Sequence, residues 1–457
     1  MRAVDCCQAG LKTRLYEPLI ACVLLFACTS PAMAADALSA DRGFDVLHYA
    51  ASIEPNIPAM TVAGHVSIHV RLLKSIDSLE FDRGELTIDA VREGSSTLRF
   101  EQLPRRVRVR LPRPIARGQM RTIDIDYRGT PRFGLQFAPE RSQVYTIFST
   151  SQWLVCIDAP DERATLDLRV ALPADLRAAG SGRFMGSGRR GDGMVVHEWQ
   201  EEHPVPSYTF GFAAGKFDEV TTRDRRIGYR YLGAAFASTR ELERVFADTP
   251  DMVRFFGGRA GLPYPHATYT QVLVANTAGQ ELAGVALLSD AYGRNLRDNP
   301  NALNLSAHEV AHQWWGNLVT CRDWRHFWLN EGFATFMAAA YNEQRFGRAA
   351  YDRDIDAARM RYEQVRQTSG DRPLVFPSWD RPTADDRTIV YQKGAYVLHL
   401  LREMLGEQRF WKGIRDYTRR YQGQSVTTPD FQRAMEAATG RDLTDFFATW
   451  VYMTGSR

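Results

Sequence analysis

The chain has 457 residues, of which 44% are hydrophobic, 11% aromatic and 24% charged, and a formal net charge of +3. That balance excludes collagen-like, fibrous and largely disordered architectures, and the length predicts two or three domains. A charge so close to neutral gives no electrostatic footprint for a nucleic-acid partner.

Residues 1–34 read as a secretory leader. Arg2, Lys12 and Arg14 precede an apolar run from Leu19 to Cys28, and Ala32-Met33-Ala34 supplies a small-x-small cleavage pattern. The run is shorter than the roughly 20 apolar residues that a membrane span needs, and no later segment could cross a bilayer. The expectation is an exported protein, periplasmic or secreted. Lipid anchoring through Cys28 is the alternative, because Leu25-Phe26-Ala27-Cys28 loosely resembles a lipobox. Beyond the leader only Cys156 and Cys321 remain. Two cysteines do not make a disulfide scaffold, and both are expected to be buried thiols.

From about residue 40 to 220 the pattern is strand-like. Val66, Ile68, Val70 and Leu72 alternate with polar residues, as do Val107, Val109 and Leu111, and again Ile123, Ile125 and Tyr127. Glycine and proline punctuate these runs at short intervals, which predicts an antiparallel sandwich over 35–220. Gly186-Ser187-Gly188-Arg189-Arg190-Gly191 matches the dinucleotide fingerprint, but a turn and a strand follow it where a helix is needed. A glycine-rich hairpin is expected there. From about residue 240 the period turns helical, predicting helices near 239–257, 303–316, 329–346, 350–368, 391–405 and 428–438, with a strand over 268–274. The predicted fold class is multidomain α+β: an N-terminal antiparallel β-sandwich followed by an α-rich domain with a small sheet over 221–457.

The chemistry concentrates between residues 281 and 391. His308-Glu309-Val310-Ala311-His312 is an HExxH motif on an amphipathic stretch. Residues four apart share one helix face, so both imidazoles reach one metal ion, and Glu309 sits beside them to take a proton from the attacking water. Singly, each is an ordinary surface histidine or solvated acid; together they point to zinc. A catalytic zinc needs a third protein ligand and an open position, and Glu331, in Trp328-Leu329-Asn330-Glu331-Gly332-Phe333-Ala334, can return a carboxylate from the next helix. His326 and His399 fall at no ligand spacing and are expected to be structural.

These motifs resemble the M1 family of zinc aminopeptidases. HEVAHQWWGNLVT followed by WLNEGFA is similar to that family's zinc-site pattern. Phe255-Phe256-Gly257, Leu262-Pro263-Tyr264-Pro265 and Cys156-Ile157-Asp158-Ala159-Pro160 resemble its approach segments, so the likeness covers roughly residues 40 to 457. The resemblance implies a thermolysin-like catalytic domain holding one Zn2+ per chain and acting on peptide substrates. It further implies that Tyr391, in Tyr391-Gln392-Lys393-Gly394-Ala395, donates a hydrogen bond to the developing oxyanion. The family's GxMEN motif is altered here to Ala278-Gly279-Gln280-Glu281-Leu282-Ala283-Gly284, with Gln280 for Met and Leu282 for Asn. Glu281 is then the group that binds the substrate's free α-ammonium. The chain stops at Phe446-Phe447-Ala448-Thr449-Trp450-Val451, close to where such a catalytic domain ends, whereas many members continue into a helical domain. The cleft is expected to be more open, or covered by a partner subunit in a homo-oligomer. The expected activity is aminopeptidase; a zinc endopeptidase and a silent zinc-containing peptide-binding protein are the alternatives.

Overall fold

The computed structural model describes residues 42–453 apart from 278 and 380, so the leader expected over 1–34 and Ala278 lie outside the described residues. Period-2 patterning drives the first half into sheet. In Thr61–Leu72 the residues Val62, Val66, Ile68, Val70 and Leu72 are buried and most of those between them are wetter, the arrangement of a strand with one face on a core. This strand runs antiparallel to Phe44–Asn56 and to Met120–Gly129 within an eight-stranded sheet, setting Tyr49 opposite Ile68 and Ile68 opposite Ile123. A three-stranded sheet of Ile76–Asp82, Arg106–Ile115 and Arg99–Leu103 adds Leu79, Phe81, Val107 and Val109 to the same core. Arg183–Arg189 and Met194–Pro206 form the expected hairpin, closed by a turn over 190–193, and no helix follows the glycines.

The second half is built on a five-stranded sheet in the order Asp218–Asp224, Ile227–Gly233, Thr268–Val274, Val285–Ser289, Gly279–Leu282. Thr268–Val274, expected from the sequence, is its central strand, and Gly279–Leu282 is an edge strand with Glu281 opposite Ala286. A small four-stranded sheet joins the two halves. Its Tyr145, Ala179 and Ala213 pack with Phe217 on Leu232, Val272, Val274, Leu282 and Leu287 of the five-stranded sheet. Each fully buried Val or Leu there contributes about 1.5–3 kcal/mol, so the strand carrying Glu281 is fastened to the N-terminal half.

Helices form where apolar residues recur at three- and four-residue intervals. Leu329, Phe333, Phe336, Met337 and Ala340 recur at helical intervals in Trp328–Phe346, which is buried on nearly every face as far as Asn342, and the helix stops at Gly347, whose φ is +87°. Arg348–Ser369, Gly394–Leu405 and Thr428–Thr439 lie where helices are expected. The segment expected over 239–257 is instead two helices, Thr239–Val245 and Thr249–Ala260, because Pro250 stands in the first turn of the second and cannot donate to a preceding turn. The helix expected over 303–316 is Asn304–Ala311 only. Asp290–Asp298 and Glu407–Tyr421 are helices outside the expected set. Cys156 lies in the N-terminal core and Cys321 in the core of the second half, both buried and not bridged to one another. No helix among the described residues is long and apolar enough to cross a membrane.

Candidate active site

His308 and Glu309 lie on the helix Asn304–Ala311, and His312 closes it, its N–H donating to the His308 carbonyl at 3.2 Å. One turn separates the two imidazoles, so their centroids are 4.6 Å apart and their Nε2 atoms 3.0 Å apart. The helix ends there because Trp314 and Trp315 turn into the core, where their indole N–H groups donate to the Leu262 carbonyl and Thr418 Oγ1 at 3.1 Å each. The helix Trp328–Phe346 packs alongside and brings Glu331 Oε2 to 3.1 Å from His308 Nε2 and 3.3 Å from His312 Nε2.

The donor set fits a zinc ion. Tetrahedral coordination with zinc–nitrogen and zinc–oxygen distances of about 2.0–2.1 Å spaces neighbouring ligand atoms by about 3.3 Å, close to the three separations seen here. Outer contacts fix the rings: His312 Nδ1 is 3.0 Å from the Trp315 carbonyl, so it carries the proton and leaves a lone pair on Nε2. His308 Nδ1 lies 3.4 Å from Thr335 Oγ1. The field points the same way. Burial pushes Glu309 well above the ordinary carboxyl range against the attraction of His312, with Glu281 and Glu331 adding repulsion. Burial likewise raises Glu281. Burial would raise Glu331 too, but His312 and His308 outweigh it and hold that carboxyl low. His312 is raised against burial by Glu331 and Glu281. Three carboxylates around two imidazoles draw positive charge to the point where the Nε2 atoms converge, and a dication satisfies that demand with neutral imidazoles.

Glu281 and Glu309 lie beside that point: ligand atoms of Glu281, Glu309 and His312 are all within 4.8 Å of one another. Glu309 is buried, and its Oε2 has no hydrogen-bond partner among the described residues, so an acceptor remains for a substrate proton. A methyl group on Gly279 would stand 2.0 Å from Glu309 Oε1, so the edge-strand backbone passes directly over this carboxylate. Tyr391 sits on a π-helical turn, Ile389–Lys393, an irregularity often found at functional sites. Its ring stacks on His308 at 5.9 Å with an interplanar angle of 8°. Lys393 anchors that turn, its buried ammonium donating to Asp371 Oδ1 at 2.9 Å and to the Arg372 carbonyl at 2.6 Å.

The sequence model of the peptidase family M1 domain matches residues 246–450, and that of the peptidase M1 N-terminal domain matches residues 46–209. The chain belongs to peptidase family M1. This M1 chain is 27% identical over 319 residues to probable aminopeptidase 2 of Sulfurisphaera tokodaii, a match spanning 66% of this chain and 40% of the relative. It is 28% identical over 292 residues to aminopeptidase N of Escherichia coli K12, covering 60% of this chain and 33% of the relative. The matches thus span well under two thirds of these relatives' lengths. Among solved structures it is similar to an M1 zinc metallopeptidase of Deinococcus radiodurans, crystallised as a glutamate-to-alanine mutant bound to a Tyr-Ser-Ala substrate. That likeness has 25% identity and a TM-score of 0.78 and covers 91% of this chain and 96% of the other.

Several contacts that hold the M1 site together are not legible in its motifs. Gln313 clamps the edge strand to the HExxH helix, its Nε2 donating to the Leu282 carbonyl and its Oε1 accepting from the Gly284 N–H, both at 3.0 Å. Asn317 Nδ2 donates to the same Leu282 carbonyl at 3.3 Å. From the N-terminal half, Tyr208 donates to the Gly316 carbonyl at 2.8 Å and accepts from Asn330 Nδ2 at 3.1 Å. Arg163 donates to Thr320 Oγ1 at 2.7 Å and to the Asn317 carbonyl at 2.8 Å. Gln280, the departure from the family's methionine, is buried and accepts from the Phe148 N–H at 2.6 Å while its Nε2 donates to Glu281 Oε2 at 3.0 Å. It orients Glu281 and ties it to an N-terminal loop. His326 and His399 are bonded to Thr428 Oγ1 and the Tyr351 hydroxyl at 2.9 Å each, in keeping with structural roles.

Glu331 and Tyr391 share a site because two backbones touch: a Cβ on Gly332 would meet Gly394 Cα at 2.9 Å. Gly332→Ala is therefore expected to force the helices apart, costing about 1–3 kcal/mol of stability. A urea melt and kcat should fall together in this variant, the latter because Tyr391 is displaced from Glu331.

Proposed function

We propose that this M1 chain is a zinc-dependent aminopeptidase that removes N-terminal residues from peptides. The observation that carries this reading is the meeting of His308, His312 and Glu331 at one point, with the Glu309 and Glu281 carboxylates beside it. When bound, zinc supplies Lewis acidity, acidifying water and polarising the scissile carbonyl. Glu309, whose Oε2 has no hydrogen-bond partner among the described residues, accepts the proton of the attacking water and passes it to the leaving amine. Tyr391 donates its hydroxyl proton in a hydrogen bond to the oxyanion. Tyr391→Phe removes only that donor, so kcat should fall about 10^2- to 10^3-fold with little change in KM. Steady-state kinetics on one peptide checks the split.

Glu281 receives the substrate's α-ammonium, which explains why a buried carboxylate is held by Gln280 at the cleft edge. Glu281→Gln keeps the shape and removes the charge. For peptides with a free amine, kcat/KM should fall about 10- to 100-fold, the worth of a charge-assisted hydrogen bond. N-acetylated peptides should stay uncut by the wild type and the variant alike.

Export is part of the same proposal, supported by the basic start, the apolar run and the Ala32-Met33-Ala34 pattern of residues 1–34. The mature N-terminus, read by mass spectrometry, should be Ala35.

A further inference from the structure

We propose a second metal site, for a zinc-like dication, formed by Glu201, His203 and His266 where the two halves of the chain meet. Glu201 and His203 belong to the strand Met194–Pro206 of the N-terminal half. His266 lies in the loop between the helix Thr249–Ala260 and the strand Thr268–Val274 of the catalytic half. Glu201 is wholly buried, a position in which a carboxylate needs positive partners. Each of its oxygens faces a different imidazole: Oε1 is 3.2 Å from His203 Nδ1, and Oε2 is 2.7 Å from His266 Nε2. One ligand atom from each of the three residues lies within 4.8 Å of the others, and the two rings meet edge to face at 5.4 Å.

A cation held by the carboxylate and both nitrogens at about 2.0–2.2 Å spaces neighbouring ligand atoms by about 3.3 Å, so the 3.2 Å His203 contact is close to that value and the 2.7 Å His266 contact would lengthen on binding. Two imidazoles and one carboxylate suit zinc, copper or nickel and not calcium or magnesium, which take oxygen ligands. The His203 side chain is 53% exposed, so the site opens to solvent on one side for ion entry and for water ligands. His266 is oriented by its contact with the Tyr264 ring at 5.5 Å. It also packs behind Gly284, close to the end of the strand that carries Glu281. A bound cation would cross-link the N-terminal strand to the frame on which the ammonium-binding carboxylate stands. The bland reading of the same contacts is a carboxylate bridging two histidines by hydrogen bonds alone.

The two differ in metal content. Untagged full-length protein, dialysed against micromolar free zinc and assayed for bound metal, should hold two equivalents. His203→Ala, a half-exposed change outside the catalytic site, should hold one and keep its kcat. It should also lose part of the zinc-dependent rise in unfolding midpoint. His308→Ala should hold one, and the double variant none; His266→Gln should repeat the result for His203→Ala. A single equivalent in the wild type that disappears in His308→Ala would leave a hydrogen-bonded bridge only, overturning the second site and leaving the aminopeptidase reading untouched. Two equivalents retained in His203→Ala and His266→Gln would overturn it as well.

Discussion

Glu309→Gln is expected to leave zinc bound at the His308–His312–Glu331 site and to lower kcat by about 10^4-fold, roughly 5.5 kcal/mol of barrier. The amide has nearly the volume of the carboxylate, so the contact with Gly279 and the packing beneath it persist. What disappears is the capacity to accept a proton from water and return it to the leaving amine. Both transfers run through one side chain, which places the effect at the upper end for general acid–base catalysis. Glu309 is buried beside the converging ligands, so no exposed acid can replace it. Metal content measured beside kcat separates this outcome from ligand loss. An unchanged rate would remove Glu309 from the mechanism.

His308→Ala is expected to abolish turnover by a different route. Its Nε2 lies 3.0 Å from His312 Nε2 and 3.1 Å from Glu331 Oε2, so its removal leaves two of three converging donors. Zinc held by two donors exchanges readily, and the polarising charge is lost from the site together with the stacking partner of Tyr391. The variant should lose the catalytic zinc equivalent, and its activity should not return at micromolar zinc. Glu309→Gln and His308→Ala thus give the same silence in a peptide assay and opposite results in a metal assay.

The part of this site legible in the sequence is the part whose geometry is local. His308, Glu309 and His312 owe their common face to helical period alone, and Glu331 needed only a following helix. Tyr391 and Glu281 were readable through family resemblance and not from spacing, because the contacts that bring them in, such as Gly332 against Gly394, join distant segments. Tyr208 and Arg163 carry no signal, and although Gln313 and Gln280 fall within quoted motifs their partners, the Leu282 carbonyl and the Phe148 N–H, are legible only in the fold. Glu201 and His266 are likewise 65 positions apart. The fold shows the same division. Alternating strands and long amphipathic helices are readable, whereas the short helix Asp290–Asp298 buries only Asp290, Gly293 and Leu296, too few large apolar positions to mark it. Glu407–Tyr421 lies outside the expected set although its pattern is strongly amphipathic, with Phe410, Trp411, Ile414 and Tyr417 buried at helical intervals and charged residues on the other face.

The most direct test of an aminopeptidase is the ratio of kcat/KM for matched peptides with free and N-acetylated termini, measured on the zinc-loaded wild-type protein. The account predicts efficient removal of the first residue from the free peptide and no detectable cleavage of the acetylated one. Equal cleavage of both, at an internal bond, would contradict it and make the zinc centre that of an endopeptidase.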